Sequence, residues 1–199
     1  MRTDKRLKQV NKEKNVDRRI QKTKTSLKGA LVNIMKEKNI EEITVKELVE
    51  EAGINRSTFY LHYMDIYHML YQMEQELLTI IVDILEGEEE VPLYVNSLIR
   101  MEQVCDVFMD NRQMILLLLE DVNDKRFLNE LKHILERVIK KIVEERNLHK
   151  KIYDNYAYSF CVAGCIGLLT DWLKEERPKS SVYIAKIIDG MFRNSIFSV

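Results

Sequence analysis

The 199 residues are 46% apolar, enough for a sizeable core, yet include only 6 Gly and 2 Pro, so few turns or strand boundaries are encoded and long helices are expected. No run approaches the ~18 apolar residues of a membrane span, the charged start lacks the apolar stretch of a secretory signal, and three Cys suit a reducing cytoplasm better than a disulfide framework. The net charge of −1 hides an asymmetry: residues 1–28 carry eleven Lys and Arg against three acids, a net +8 that leaves −9 for the rest and points to a polyanion partner for the front of the chain.

Residues 1–16 contain only Leu7, Val10 and Val16 as large apolar side chains and read as a basic, mobile arm. From Asp17 a helical pattern places Ile20, Leu27, Leu31, Ile34 and Met35 on one side, until Asn39 and Ile40 break it. Thr44-Val45-Lys46-Glu47 has the form of a capping box, with Thr44 accepting from the Glu47 amide and Glu47 reaching back. Behind it Val45, Leu48, Val49 and Ala52 make a short amphipathic helix that Gly53 ends. Asn55 then caps a second short helix running through Ser57–Tyr63.

Asp65 opens the next helix, striped by Ile66, Leu70, Met73, Leu77, Ile80, Ile81 and Ile84 and running to the acidic 86–90 stretch and Pro92. Five more helices are expected at about 93–109, 112–120, 125–146, 151–174 and 182–197, separated by polar segments. No period-two pattern competes, so the fold class is all-α. The organisation is a basic arm (1–16), a three-helix front domain (17–64) and a larger helical domain behind it (65–199).

Two short helices joined by a Gly-containing turn and preceded by a longer one form a helix-turn-helix, whose second helix enters the major groove. At about 100° per residue, Phe59 and Tyr63 share the inner face, Ser57 and Leu61 lie almost opposite, and Thr58 and Tyr60 flank them. Hydroxyls suit base edges or phosphates, and an outward Leu61 suits a thymine methyl. A purely structural helical hairpin would explain neither the outward hydroxyls nor the basic arm beside them.

The stretch from Ile43 to Asp65, ITVKELVEEAGINRSTFYLHYMD, resembles the DNA-binding region of the TetR family of one-component transcription regulators. The resemblance rests on the Thr44-Val45-x-x-Leu48 helix start, Ala52-Gly53-Ile54, and Ser57-Thr58-Phe59-Tyr60 followed by His62-Tyr63. The Tyr-rich 156–160 segment, the Gly164/Gly167 pair and Trp172 before Pro178 faintly resemble the branch that regulates dihydroxyacetone kinase operons. The resemblance implies that Lys46 reaches a base or phosphate, that Arg56, Ser57, Thr58 and Leu61 face bases, and that Tyr60 and His62 contact phosphates. One departure stands out. The family usually places a phosphate-binding Lys three residues after the aromatic that closes the recognition helix, and Ile66 stands there. Ile66 is expected to face the DNA backbone, with the basic arm substituting for the missing cation; the competing role is burial at the head of the Leu70–Met73 stripe.

Among the later helices, Cys105, Phe108, Met109, Met114, Leu131, Leu135 and Phe160 suit an adaptable apolar pocket, or plain core. The family implies that a small effector binds there and moves the helix beginning at Asp65. Small residues including Gly164 and Gly167, and the stripe of Ile184, Ile188 and Met191, fit a four-helix subunit interface that the resemblance also implies. Cys161 and Cys165 share a face, but no further Cys or His completes a metal site, and no phosphate loop, nucleophile elbow or carboxylate pair argues for an enzyme. No cofactor is implied. The expected partners are a double-stranded DNA operator, a second copy of the chain and a small-molecule effector, with no membrane, and the place is the cytoplasm. The expected function is a TetR-type regulator, a repressor released by its ligand. The alternative is a protein-interaction factor on the same fold, with operator binding lost or remodelled.

Overall fold

The computed structural model describes the backbone of residues 2–87, 91–120, 125–145 and 155–196, and no strand occurs among them. Nine α-helices lie in these residues: α1 Arg2–Met35, α2 Val45–Ala52, α3 Arg56–Tyr60, α4 Ile66–Glu86, α5 Ser97–Asp110, α6 Arg112–Glu120, α7 Arg126–Glu145, α8 Asn155–Lys174 and α9 Ser181–Ile196. They divide into two units, Met1–Met73 and Glu74–Val199.

Helix α1 begins at Arg2, where the sequence pattern suggested an arm up to residue 16. The pattern reports whether a segment has an apolar face to bury, and residues 2–16 have almost none. Helix formation asks only for residues that tolerate it. Residues 2–28 hold no Gly or Pro and are dominated by Lys, Arg, Gln, Glu and Leu, all good helix formers. Further along, Leu27, Ala30 and Leu31 are buried, and α1 packs on α2.

The short helices are punctuated as their residues dictate. Thr44 accepts the Glu47 N–H at 3.2 Å. The Glu47 carboxylate is also held by Lys38, whose ammonium hydrogen-bonds it. That pairing holds the Glu47 carboxyl below its usual range and raises the Lys38 ammonium. Gly53 ends α2 at φ 65°, and Asn55 Oδ1 accepts the Ser57 N–H at 3.0 Å to start α3. Helix α5 begins four residues later than its apolar pattern suggested. Pro92–Val95 instead forms a turn closed by the Val95 N–H on the Pro92 carbonyl, with Leu93 tucked into the core.

In the second unit α5 packs extensively on α9, and α8 lies against α6, α7 and α9. Val104, Phe108, Ile115, Phe127, Leu131 and Trp172 fill the core. Two polar side chains at the end of α8 are paired with backbone carbonyls. Trp172 Nε1–H donates to the Lys179 carbonyl at 2.8 Å, and the Arg112 guanidinium donates to the Leu173 and Glu175 carbonyls at the end of α8.

A Cβ at Gly53 would meet no atom within 4 Å, so the backbone angle alone demands glycine there. Gly53→Ala should therefore lower unfolding stability by about 1–2 kcal/mol in urea titration, with Gly53→Asn costing less.

Candidate functional site

Helix α3 has only five residues, too few to hold itself together, and it stands because Phe59 and Tyr63 are buried one turn apart with ring centroids 5.6 Å from each other. The opposite face is consequently presented to solvent. Leu61 is 80% exposed, an unusual state for leucine, and Tyr60, Arg56 and Ser57 are exposed around it. Thr58 and His62 are half-buried at the flanks.

These side chains are already ordered among themselves. The Arg56 guanidinium lies over the Tyr60 ring, 5.6 Å from its centroid, and donates to the phenol oxygen at 3.2 Å. Ser57 Oγ donates to Asn55 Oδ1 at 3.0 Å, which leaves its lone pairs outward as an acceptor for an exocyclic amine of adenine or cytosine. Lys46, at the start of α2, is exposed and 4.0 Å from Glu50 across one helical turn. A face with one apolar tip, a hydroxyl acceptor and two cations has the donor and acceptor set that groove edges and phosphates require.

Ile66 departs from expectation. It is only 4% exposed and heads a buried row with Met69, Leu70 and Met73 on α4. The aromatic motif before it fixes the chain path, but direction at the first turn of α4 is set by that row. A residue in register with Leu70 and Met73 turns inward, so Ile66 is core.

The regulatory residues fall into three groups. Cys105, Phe108, Met114, Leu131 and Leu135 are buried and Met109 is half-buried. A narrow cavity of about 60 Å³ is bounded by Leu85, Leu93, Met101, Ile139, Cys165 and Phe192, with Ser97, Arg100 and Asp189 as its polar members. Of the expected pocket residues Leu135 lines it. Phe160 does not belong with them. It is 77% exposed and lines a broad groove of about 890 Å³ between α8 and α9, with Gly164, Gly167, Tyr183, Ile187 and Met191. Ile184 and Ile188 also differ from expectation, being 5% and 2% exposed on the floor of that groove. Both misplacements share a cause. Helix α8 is apolar nearly all round, and α9 carries two apolar rows side by side, Ile184–Ile188 and Tyr183–Ile187–Met191, so periodicity could not separate the inner row from the outer.

Burial pushes the thiols of Cys105 and Cys165 up to about 12, and that of Cys161 upward. Protonated thiols are neither nucleophiles nor good metal ligands, so these cysteines act as small apolar side chains.

A capped helix pair with an exposed reading face, followed by an all-helical unit, defines a helix-turn-helix transcriptional regulator. A family model for the C-terminal region of transcriptional regulators of the TetR type matches residues 96–194. YxbF, an HTH-type transcriptional regulator of Bacillus subtilis strain 168, is 34% identical over 73 residues, which are 36% of this chain and 19% of that relative. The match thus spans about a fifth of the length of that curated relative. Among solved structures, a TetR transcriptional regulator from Streptococcus agalactiae 2603V has a TM-score of 0.58 at 23% identity, over 90% of this chain and 98% of that one. The dihydroxyacetone kinase operon activator DhaS gives 0.59 at 14% identity, over 87% and 96%. FadR of Bacillus subtilis, solved with stearoyl-CoA, gives 0.61 at 14% identity, over 84% and 96%. At such identities the structures share a fold with this chain. The family model, over residues 96–194, places the chain in the TetR family of transcriptional regulators.

The burial of Ile66 yields a direct test at the one position where the family motif is broken. Ile66→Lys should cost about 2 kcal/mol or more, lowering the melting temperature by some 4–8 °C, and should leave the salt dependence of DNA binding unchanged.

Proposed function

We propose that this chain is a cytoplasmic, dimeric, operator-binding repressor that a small ligand releases from DNA. The observation that carries the DNA reading is the outward face of α3, where an exposed leucine stands beside Arg56, Ser57 and Tyr60 while the aromatic pair behind them is buried. In this reading Leu61 packs on a thymine methyl, and Arg56, Ser57 and Thr58 meet base edges. Tyr60, His62 and Lys46 hold phosphates, and the basic front of α1 adds sequence-independent attraction. No helix among the described residues is long and apolar enough to cross a membrane.

The dimer reading rests on Gly164 and Gly167. A Cβ at either would meet nothing within 4 Å, so the subunit itself has no steric need for glycine there. Glycine in a helix interior costs about 1 kcal/mol relative to alanine. Close approach of another helix explains why that cost is tolerated, and the exposed Phe160, Tyr183 and Met191 supply the apolar rim. Ligand control draws on the cavity beside α4 and on the fold shared with FadR, which was solved with stearoyl-CoA. A repressor is the simplest circuit for such release, although DhaS shows that a protein of this fold can be an activator.

Fragments selected by the protein from a random DNA pool should be pseudo-palindromic, and the slope of log K against log salt should steepen by about 0.9 per neutralised phosphate. Failure to enrich any sequence would favour the protein-interaction alternative. Gly164→Leu should yield a monomer by sedimentation, with helicity and melting temperature of the subunit maintained or raised. A tight Gly164→Leu dimer would place the interface elsewhere. Ile188→Glu, by contrast, should unfold the second unit, since that side chain is core.

A further inference from the structure

Helix α4 starts with a reciprocal exchange built on an unusual acceptor. Asp65 Oδ1 accepts the His68 N–H at 2.7 Å, and His68 Nδ1 accepts the Met64 N–H at 3.1 Å. A third-position side chain reaching back over the start of its own helix resembles the second arm of a capping box, a task ordinarily given to Glu or Gln, except that here the donor is Met64, one residue before the cap. Those side chains accept throughout the physiological range. An imidazole accepts at Nδ1 only while neutral, because protonation makes both ring nitrogens donors. Acceptance at Nδ1 puts the neutral ring's proton on Nε2, and the Gln72 side-chain amide 3.0 Å away must then turn its oxygen, rather than its NH2, toward the ring.

The ring is half-buried and edges against Tyr63, with centroids 6.3 Å apart. The titratable groups seen to face it are Asp65 in its own turn and the Tyr63 phenol in the turn before. The Met64 N–H belongs to the segment that leads out of α3 and carries Leu61 and His62. Leu61 and Met64 are strongly exposed; the His62 and Tyr63 N–H groups hold the turn's start on the Phe59 carbonyl, and the bond from Met64 to His68 holds its exit.

We propose that neutral His68 is a positioning residue for the reading face. By accepting the Met64 N–H it fixes the turn from Leu61 to Met64, and protonation of the ring releases that turn and weakens operator binding. A charged ring would set two N–H donors against each other at a helix N-terminus, where cations are already disfavoured. This inference rests on the DNA-binding reading above and adds to it a residue and a sensitivity to acid.

The test uses the full-length protein at about pH 7.5 and about pH 5.5, which bracket the range where imidazoles change charge. Two quantities are read: protection of the Met64 amide from hydrogen exchange without DNA, and affinity for a fragment the wild type selects at the higher pH. On acidification the wild type should lose Met64 protection while the Leu48 amide stays protected, and affinity should fall about tenfold, the size of one lost cap. His68→Gln should keep both at either pH, and His68→Ala at pH 7.5 should behave like the acidified wild type. Met64 protection that ignores pH in the wild type, or falls equally in His68→Gln, overturns the proposal. If Met64 protection follows His68 but no fragment is ever enriched, the positioning of the turn stands and the DNA-binding reading falls.

Discussion

The outward face of α3 depends on one packing constraint, the burial of Phe59 within this five-residue helix and of Tyr63 three residues beyond its end, where the expected helix had reached. A helix this short has no stability of its own. Its rotation about its axis is therefore set wholly by which side chains are driven out of water. Two aromatic rings one turn apart leave a single choice, and that choice sends Leu61, Ser57 and Arg56 outward together. Exposure of Leu61 is the cost of the arrangement. An apolar side chain left in water on a face otherwise rich in hydroxyls and cations has a use only when another surface covers it.

Much of this was legible in the amino-acid sequence because it is local. Thr44, Gly53 and Asn55 act through hydrogen bonds or backbone angles within a few residues, so their types and spacing carry the information. Spacing also placed Phe59 and Tyr63 inward, since a four-residue interval on a helix admits one reading. What could not be read was decided by competition with distant residues. The hold of Lys38 on the Glu47 carboxylate, across nine positions, is a contact that local spacing does not announce. The inward turn of Ile66 follows from the row it shares with Met69, Leu70 and Met73, while the family motif that precedes it says only where a Lys would usually stand.

The later helices were harder for a related reason. Periodicity separates an apolar face from a polar one, and α8 offers no such contrast. Phe160, Val162, Gly164, Cys165, Gly167 and Leu169 are all apolar or small, yet Val162, Cys165 and Leu169 are buried while Phe160, Gly164 and Gly167 are exposed. Only the packing of neighbouring helices distinguishes them. The glycines become informative once that is known: on the inner face they would have implied close packing within the subunit, whereas on the outer face no neighbour in the subunit requires them.

Helix α4 gathers these threads, because it is the element whose two ends are both secured by specific side chains. Its first amides are met by Asp65, and His68 closes the turn that precedes it. At its other end the buried Arg100 donates to the Ile84 carbonyl at 2.7 Å and to the Gly87 carbonyl at 3.2 Å, supplying the donors that a helix C-terminus lacks. Arg100 also lines the apolar cavity. A molecule entering that cavity therefore meets the guanidinium that secures the end of α4, and a hydrogen bond that turns its two terminal nitrogens away from the Ile84 and Gly87 carbonyls competes with those that α4 now receives. Differential contact of this kind is what a ligand needs in order to favour one position of a helix over another. Apolar occupancy that leaves both carbonyls paired would fill space without that leverage.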